Sequence, residues 1–166
     1  MAVVVGTGGH ARDILATLNP KWSWIRIPHH DEFFELYPAG SPYPLYIGIN
    51  DPWVRDKACR DIGYNDEAWV HPTAHLGVET VMGFGTHINY GVHMTRTTIG
   101  HHTTISPGVT ICGDVSIGDR VLVGAGATIC DRVTIGDDVT IGAGAVILPE
   151  TVIPAGVTAL GVPARW

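Results

Sequence analysis

Between Ile99 and Ile153 every sixth residue is aliphatic: Ile99, Ile105, Ile111, Ile117, Val123, Ile129, Ile135, Ile141, Ile147, Ile153. Four residues after each comes a small or β-branched side chain, from Thr103, Val109 and Val115 to Thr151 and Val157. Directly after the aliphatics stand Gly100, Gly118, Gly124, Gly136 and Gly142, with Ser106, Cys112 and Cys130 between them. A period of six fits neither the ~3.6 of a helix nor the ~2 of plain strand alternation. It fits a short flat strand followed by a corner. Three such units close a triangular coil of 18 residues. Coils then stack in parallel about 4.8 Å apart, with the aliphatics inward. The expected fold is a parallel β-helix, and the hexapeptide spacing resembles the left-handed kind. Carried backwards, the same register puts His93, His87, Val81 and His75 in the inward column. On that reading the solenoid begins near His75, holds about five coils and buries the His93 and His87 imidazoles. His75 should stack with His93 on one face.

The chain has 166 residues, 45% of them hydrophobic, which excludes a disordered segment. With 21 Gly and 11 Pro it cannot be a coiled coil. The net charge of −6, and the lack of any Lys after Lys57, argue against a nucleic-acid partner. Cys59, Cys112 and Cys130 are too few, and odd in number, for a disulfide framework. The opening MAVVVGTGG lacks a basic n-region, and no apolar run is long enough to span a membrane. A cytoplasmic location is the expectation.

Residues 1–70 lack the hexad and read as a reduced, Rossmann-like α/β domain, followed by the β-helix over residues 71–166. Ala2 to Val5 is a short strand, Gly6-Thr7-Gly8-Gly9-His10 a glycine turn, and Ala11 to Leu18 an amphipathic helix ended by Asn19-Pro20. Such a turn lets the backbone approach a ligand, and the helix start favours an anion such as a phosphate. The full dinucleotide fingerprint is missing, because position 11 is Ala. Residues 28–44 read as irregular, Leu45 to Ile49 as a second strand, and Pro52 to Ile62 as a helix capped by Asp51.

Glycine loop and solenoid together resemble the PglD-like and NeuD-like sugar acyltransferases of the hexapeptide-repeat superfamily. The matching stretches are Gly6-Thr7-Gly8-Gly9-His10-Ala11-Arg12, Ile47-Gly48-Ile49-Asn50-Asp51 with Arg55, His71-Pro72-Thr73-Ala74 and Gly161-Val162-Pro163-Ala164-Arg165. The resemblance implies a homotrimer with acetyl-CoA lying in clefts between neighbouring β-helices, near Gly113, Ala125, Ala143 and Arg165. It implies a nucleotide-linked sugar held at Gly8, Gly9 and His10, with the Gly113 N–H steadying the acetyl oxyanion. It also exposes a departure. Where the family carries a catalytic His followed by an acid, this chain has Thr95 and Arg96. Neither is a base near neutral pH.

Three histidines are candidates to replace that base. His93 lies two residues before Thr95, and His101 and His102 occupy the next corner, where exposure and near-neutral titration suit proton removal. Arg96 is a candidate for holding a carboxylate or phosphate of the ligand. Each has a plainer alternative: a buried structural imidazole, or a solvated turn. No metal is expected, since His71, His75, His87 and His93 share no short ligand spacing. The function expected is acetyl transfer to the amine or hydroxyl of a nucleotide-activated amino sugar, in cell-surface glycan synthesis. The rivals are a sugar-nucleotide-binding trimer that has lost catalysis, a purely structural trimer, and a zinc-dependent carbonic-anhydrase-like β-helix.

Overall fold

The computed structural model describes residues 2–5, 9–17, 24–27, 45–63 and 66–166. Strand β1 (Ala2–Val5) leads to helix α1 (Gly9–Thr17), β2 (Trp24–Ile27), β3 (Leu45–Ile47) and helix α2 (Pro52–Ile62). β1 is central, with β2 and β3 parallel on either side. Three parallel strands and two helices are as far as the described residues carry the α/β expectation. β2 falls where the sequence suggests no strand, because four residues are too few to display a period. The residues 28–44, read above as irregular, lie outside the described ones, as do Gly6, Thr7 and Gly8.

Each helix has a local cause. Asp51 accepts the Val54 N–H at 3.0 Å, Pro52 sits at the first turn, and Gly63 ends α2 at φ +68°. α1 turns Ala11 and Ile14 onto Trp69, whose indole N–H donates to Thr17 Oγ1 at 2.9 Å.

From Trp69 onward the chain winds as a left-handed β-helix. Sheets of seven, five and five strands form its three faces. The inward aliphatics Ile105, Ile111, Ile117, Val123, Ile129, Ile135, Ile141, Ile147 and Ile153 are all buried in one continuous core. Each such side chain contributes about 1.5–3 kcal/mol by leaving water.

One expectation is overturned. Downstream, partners are 18 residues apart, as in Ile105 with Val123. Pairs that span the stretch from Met94 to Ile99 are only 17 apart: Ile105 pairs with Ile88, Ile111 with Met94, and Ile99 with Met82. The unit from Met94 to Ile99 is therefore one residue short. Shifting by one residue turns every side chain to the opposite face. The inward column before the shift is Ile88, Met94 and Met82, not His87, His93 and Val81. Met94 is buried and His93 exposed, because an apolar thioether enters the core without desolvating a polar group. His87 is fully buried, but beneath the N-terminal elements rather than inside the solenoid. The solenoid also starts at Trp69 rather than near His75, since Trp69–Val70 pairs with His87–Ile88.

The corners use left-handed backbone. One edge is lined by Gly91, Gly108, Gly126 and Gly144, all with positive φ. A second carries Glu79, Arg96, Asp114, Arg132 and Glu150, non-glycine residues with positive φ and alternating charge. Arg96 Nε meets Asp114 at 2.9 Å, and Arg132 meets Glu150 at 2.8 Å. A left-handed residue costs about 1–2 kcal/mol, and these exposed pairs offset part of it. On the remaining edge Arg120 holds Asp138 through two bonds of 2.7 and 3.0 Å, and Trp53 Nε1 donates to the same carboxylate at 2.8 Å.

Two outcomes test this description. Met94→Asp places a charge in the core and should cost about 3 kcal/mol or more in urea unfolding, whereas His93→Asp should cost less than about 1 kcal/mol. Equal losses would return His93 to the inward column. Asp138→Asn should cost about 0.5 kcal/mol at neutral pH, given solvent screening. Arg120 and the Trp53 N–H hold the Asp138 carboxyl below its usual value, so its contribution is present above the unfolded pKa and lost as pH falls through the folded one. The gap between variant and wild type should therefore close in acid.

Candidate functional site

The shortened unit lies beside a groove of about 570 Å³, on the face built by His75–Leu76, His93–Met94 and Thr110–Ile111. Ala74, His75, His93, Thr95 and Thr110 line it. His75 and His93 stack there, with ring centroids 4.8 Å apart and planes within 13°, as their spacing suggests. Both are exposed, and the His93 ring makes no hydrogen bond among the described residues, so its nitrogens are open to a ligand.

The other two candidate bases are placed less favourably. His101 is exposed, but its Nδ1 accepts the Phe84 N–H at 3.0 Å while the ring stacks on Phe84. A neutral His101 then carries its proton on Nε2, where it donates rather than accepts. It borders a smaller groove of about 270 Å³ with Glu67, Met82 and Phe84. His102, expected at an exposed corner, is buried instead, with φ +55°. Among the described residues its Nδ1 is enclosed without a partner; its Nε2 lies 3.7 Å from Asp56, and burial lowers its pKa.

Arg96 is exposed, as expected, but it is not a free cation. Asp114 fixes its Nε, and its guanidinium covers Gly113 so closely that a Cβ there would lie 2.0 Å from Nη2. The Gly113 N–H donates to Asp131 Oδ1 at 3.0 Å. The expected oxyanion donor is thus already engaged by a carboxylate, while the Arg96 guanidinium occupies the adjacent space. Ala125 and Ala143 are exposed and stacked on one glycine corner, joined by the Gly144 N–H to Ala125 carbonyl bond of 2.9 Å. Arg165 lies in the terminal hairpin where Thr158–Gly161 pairs antiparallel with Ala164–Arg165. Cys112 and Cys130 stack on adjacent coils, as their spacing suggests, and are free thiols. Burial, with Asp131 next in effect, pushes the Cys112 thiol up. Among the described residues no group of three or more His, Cys, Asp or Glu gathers as a metal site. No described helix is long and apolar enough to cross a membrane.

A buried cluster beneath the N-terminal elements escapes sequence reasoning. His10, at the start of α1, places Nε2 2.7 Å from His87 Nδ1. His87 Nε2 lies 3.1 Å from Asp66 Oδ2, and Asp66 Oδ1 accepts the Ile47 N–H at 2.8 Å. The fully buried Arg55 lies 3.7 Å from Asp66 and donates to the carbonyls of Ile49, Gly85 and His102. Burial drives His10 down to about 3, holds His87 well below its ordinary value, and lifts Asp66 to about 7. The sequence separations of 77 and 21 carry no motif. Only the glycine loop and the quoted Arg55 hinted at it.

Residues 96–131, and again 114–149, match the family model for the bacterial transferase hexapeptide (six repeats). That match begins within the shortened unit. No curated protein matches the sequence. Among solved structures, PerB from Caulobacter crescentus, in complex with CoA and GDP-perosamine, shares 26% identity over 99% of this chain and 95% of its own, with a TM-score of 0.77. WeeI from Acinetobacter baumannii shares 21% identity over 99% and 98%, with a TM-score of 0.81. The acetyltransferase domain of PglB from Neisseria gonorrhoeae, in complex with acetyl coenzyme A, shares 20% over 99% and 97%, with a TM-score of 0.75. The last two bear on the fold alone. Residues 96–149 thus carry the bacterial transferase hexapeptide repeat, and the likeness to PerB runs across both halves of the chain, in keeping with its resemblance to the PglD-like and NeuD-like sugar acyltransferases.

Proposed function

We propose that the chain transfers the acetyl group of acetyl-CoA to the amine or hydroxyl of a nucleotide-activated amino sugar, in the synthesis of a cell-surface glycan. The observation that carries this reading is the likeness to PerB over 99% of the chain, N-terminal elements and solenoid together. The working form is a cytoplasmic homotrimer. Residues 1–70 act as the nucleotide-sugar-binding domain through Gly8, Gly9 and His10. CoA runs past Ala125 and Ala143 towards Arg165.

In the chemistry, the sugar nitrogen or oxygen attacks the thioester carbonyl carbon. The carbonyl π pair moves onto oxygen, and His93 takes the nucleophile's proton. The tetrahedral intermediate then collapses, the C–S bond breaks, and His93 returns the proton to the CoA sulfur. His93 is the choice among the three candidates because it alone is exposed on the groove beside Thr95 with its ring uncommitted. The oxyanion is held by the Arg96 guanidinium over Gly113, with the Gly113 N–H joining only if Asp131 releases it.

A second reading, a sugar-nucleotide-binding trimer without turnover, draws on the same corner. Thr95 is no base, and a carboxylate beside Gly113 opposes a developing oxyanion. The two readings separate in one assay: CoA release from acetyl-CoA, followed with a thiol reagent, against UDP-, GDP- and dTDP-amino sugars. Release is expected with one of them. His93→Ala should lower kcat about 10²–10⁴-fold, and His101→Ala should leave it within about threefold. No release with any sugar, alongside a thermal shift on sugar-nucleotide addition, would replace the enzyme by the binding module. Full activity in His93→Ala would remove that residue from the mechanism.

A further inference from the structure

Asp66, His87 and His10 are hydrogen-bonded in series across three separate parts of the chain. The direction of those bonds follows from proton counting. The Ile47 N–H makes Asp66 Oδ1 an acceptor. The Arg55 guanidinium, 3.7 Å from Oδ2, favours the ionised carboxylate. An ionised Asp66 must receive the His87 proton on Nε2. A neutral imidazole has one N–H, so His87 Nδ1 is then bare and must receive the His10 proton on Nε2. His10 Nδ1 is left bare in turn. It has no partner among the described residues, and His10 is only part-buried. Trp69 meets both rings edge-on and fixes their planes, at 5.1 Å from His10 and 5.9 Å from His87.

We infer that Asp66 and His87 form a wire that sets the tautomer of His10, so that His10 reads a hydrogen-bond donor on the nucleotide sugar rather than its phosphates. This deepens the proposed function and rests on its nucleotide-sugar reading. The donor is a nucleobase N–H or a sugar hydroxyl, because a bare Nδ1 lone pair repels phosphate oxygens. An imidazolium would attract phosphate, but His10 and His87 stay neutral through the physiological range. Asp66 and His87 are positioning residues, since neither touches the ligand.

Protonating Asp66 reverses both bonds and the character of the open His10 nitrogen. Asp66 then donates to His87 Nε2, His87 donates from Nδ1 to His10 Nε2, and His10 Nδ1 becomes a donor. The charged and titratable groups facing the wire are Arg55, Asp56 and Cys59 from α2, Asp13 from α1, Tyr46 from β3, and His102. Burial raises Asp66 to about 7, so the reversal falls as pH drops through that value.

Asp66→Asn tests the wire with little change of shape. The Asn oxygen still accepts the Ile47 N–H, while its NH₂ donates to His87 and locks the reversed direction. Side-chain ¹⁵N chemical shifts of the ¹⁵N-histidine-labelled free protein at pH 8 should show His10 protonated on Nε2 in wild type and on Nδ1 in Asp66→Asn. Wild type should move to the Nδ1–H form at pH 6, which tests the wire even if the variant does not fold. In turnover assays the variant's KM for the sugar nucleotide should rise about tenfold or more, with kcat within about threefold and KM for acetyl-CoA unchanged. An unchanged His10 tautomer, or a His10 imidazolium at pH 6, overturns the wire. An unmoved sugar-nucleotide KM overturns the recognition role. The shifts are read without substrate, so a tautomer change in a protein that turns over no sugar nucleotide supports the wire and counts against the proposed function instead.

Discussion

Everything in the solenoid depends on keeping one aliphatic column pointing inward while each coil hydrogen-bonds to the next. Both requirements are met with one unbroken register when every coil has the same number of residues. From Ile99 onward the chain obeys this, with ladder bonds such as Ser106 N–H to Val123 and Gly124 N–H to Ile141 at 3.0 and 2.8 Å. Between Met94 and Ile99 it breaks the rule by one residue, and the core is preserved by exchanging which residues point inward. The exchange turns His93 and His75 onto the surface as a stacked pair, and it brings Thr95 and Arg96 to the corner where the resemblance expects a base and an acid.

Charge is managed differently at the edges and beneath the N-terminal elements. At the corners, alternating charges compensate strained backbone in water, where each pair is worth little and several share the load. Beneath α1 and α2, Arg55, Asp66 and His87 are withdrawn from water and satisfied almost entirely by one another, by the part-buried His10 and by backbone. There a single proton matters, because in a low dielectric every donor must meet an acceptor. Arg55 ties α2 to the Gly85 and His102 carbonyls, so this polar cluster also joins the first part of the chain to the solenoid.

Acyl transfer needs a base, an oxyanion donor and two bound substrates. The residues considered for those roles have surroundings that differ sharply. His93 is exposed and uncommitted, His101 is held by Phe84, and His102 is enclosed. Arg96 and Gly113 lie at one corner with Asp131 and Asp114, so two carboxylates offset the one guanidinium there.

By itself the sequence determined the β-helix, since ten aliphatic residues at a six-residue period admit no other regular structure. It also determined the α2 cap at Asp51, because an Asp-Pro start is a local signal. The departure at Thr95-Arg96 from the pattern of the resembled family was legible for the same reason, as residue types at numbered positions. What the tertiary structure alone decided was orientation. Periodicity extrapolated through Met94 to Ile99 points the histidines inward, and only the pairing of Ile111 with Met94 reveals the slip. The Asp66–His87–His10 chain was equally hidden, because hydrogen bonds between residues distant in sequence leave no period, and a buried network is specified by the space that folding closes around it.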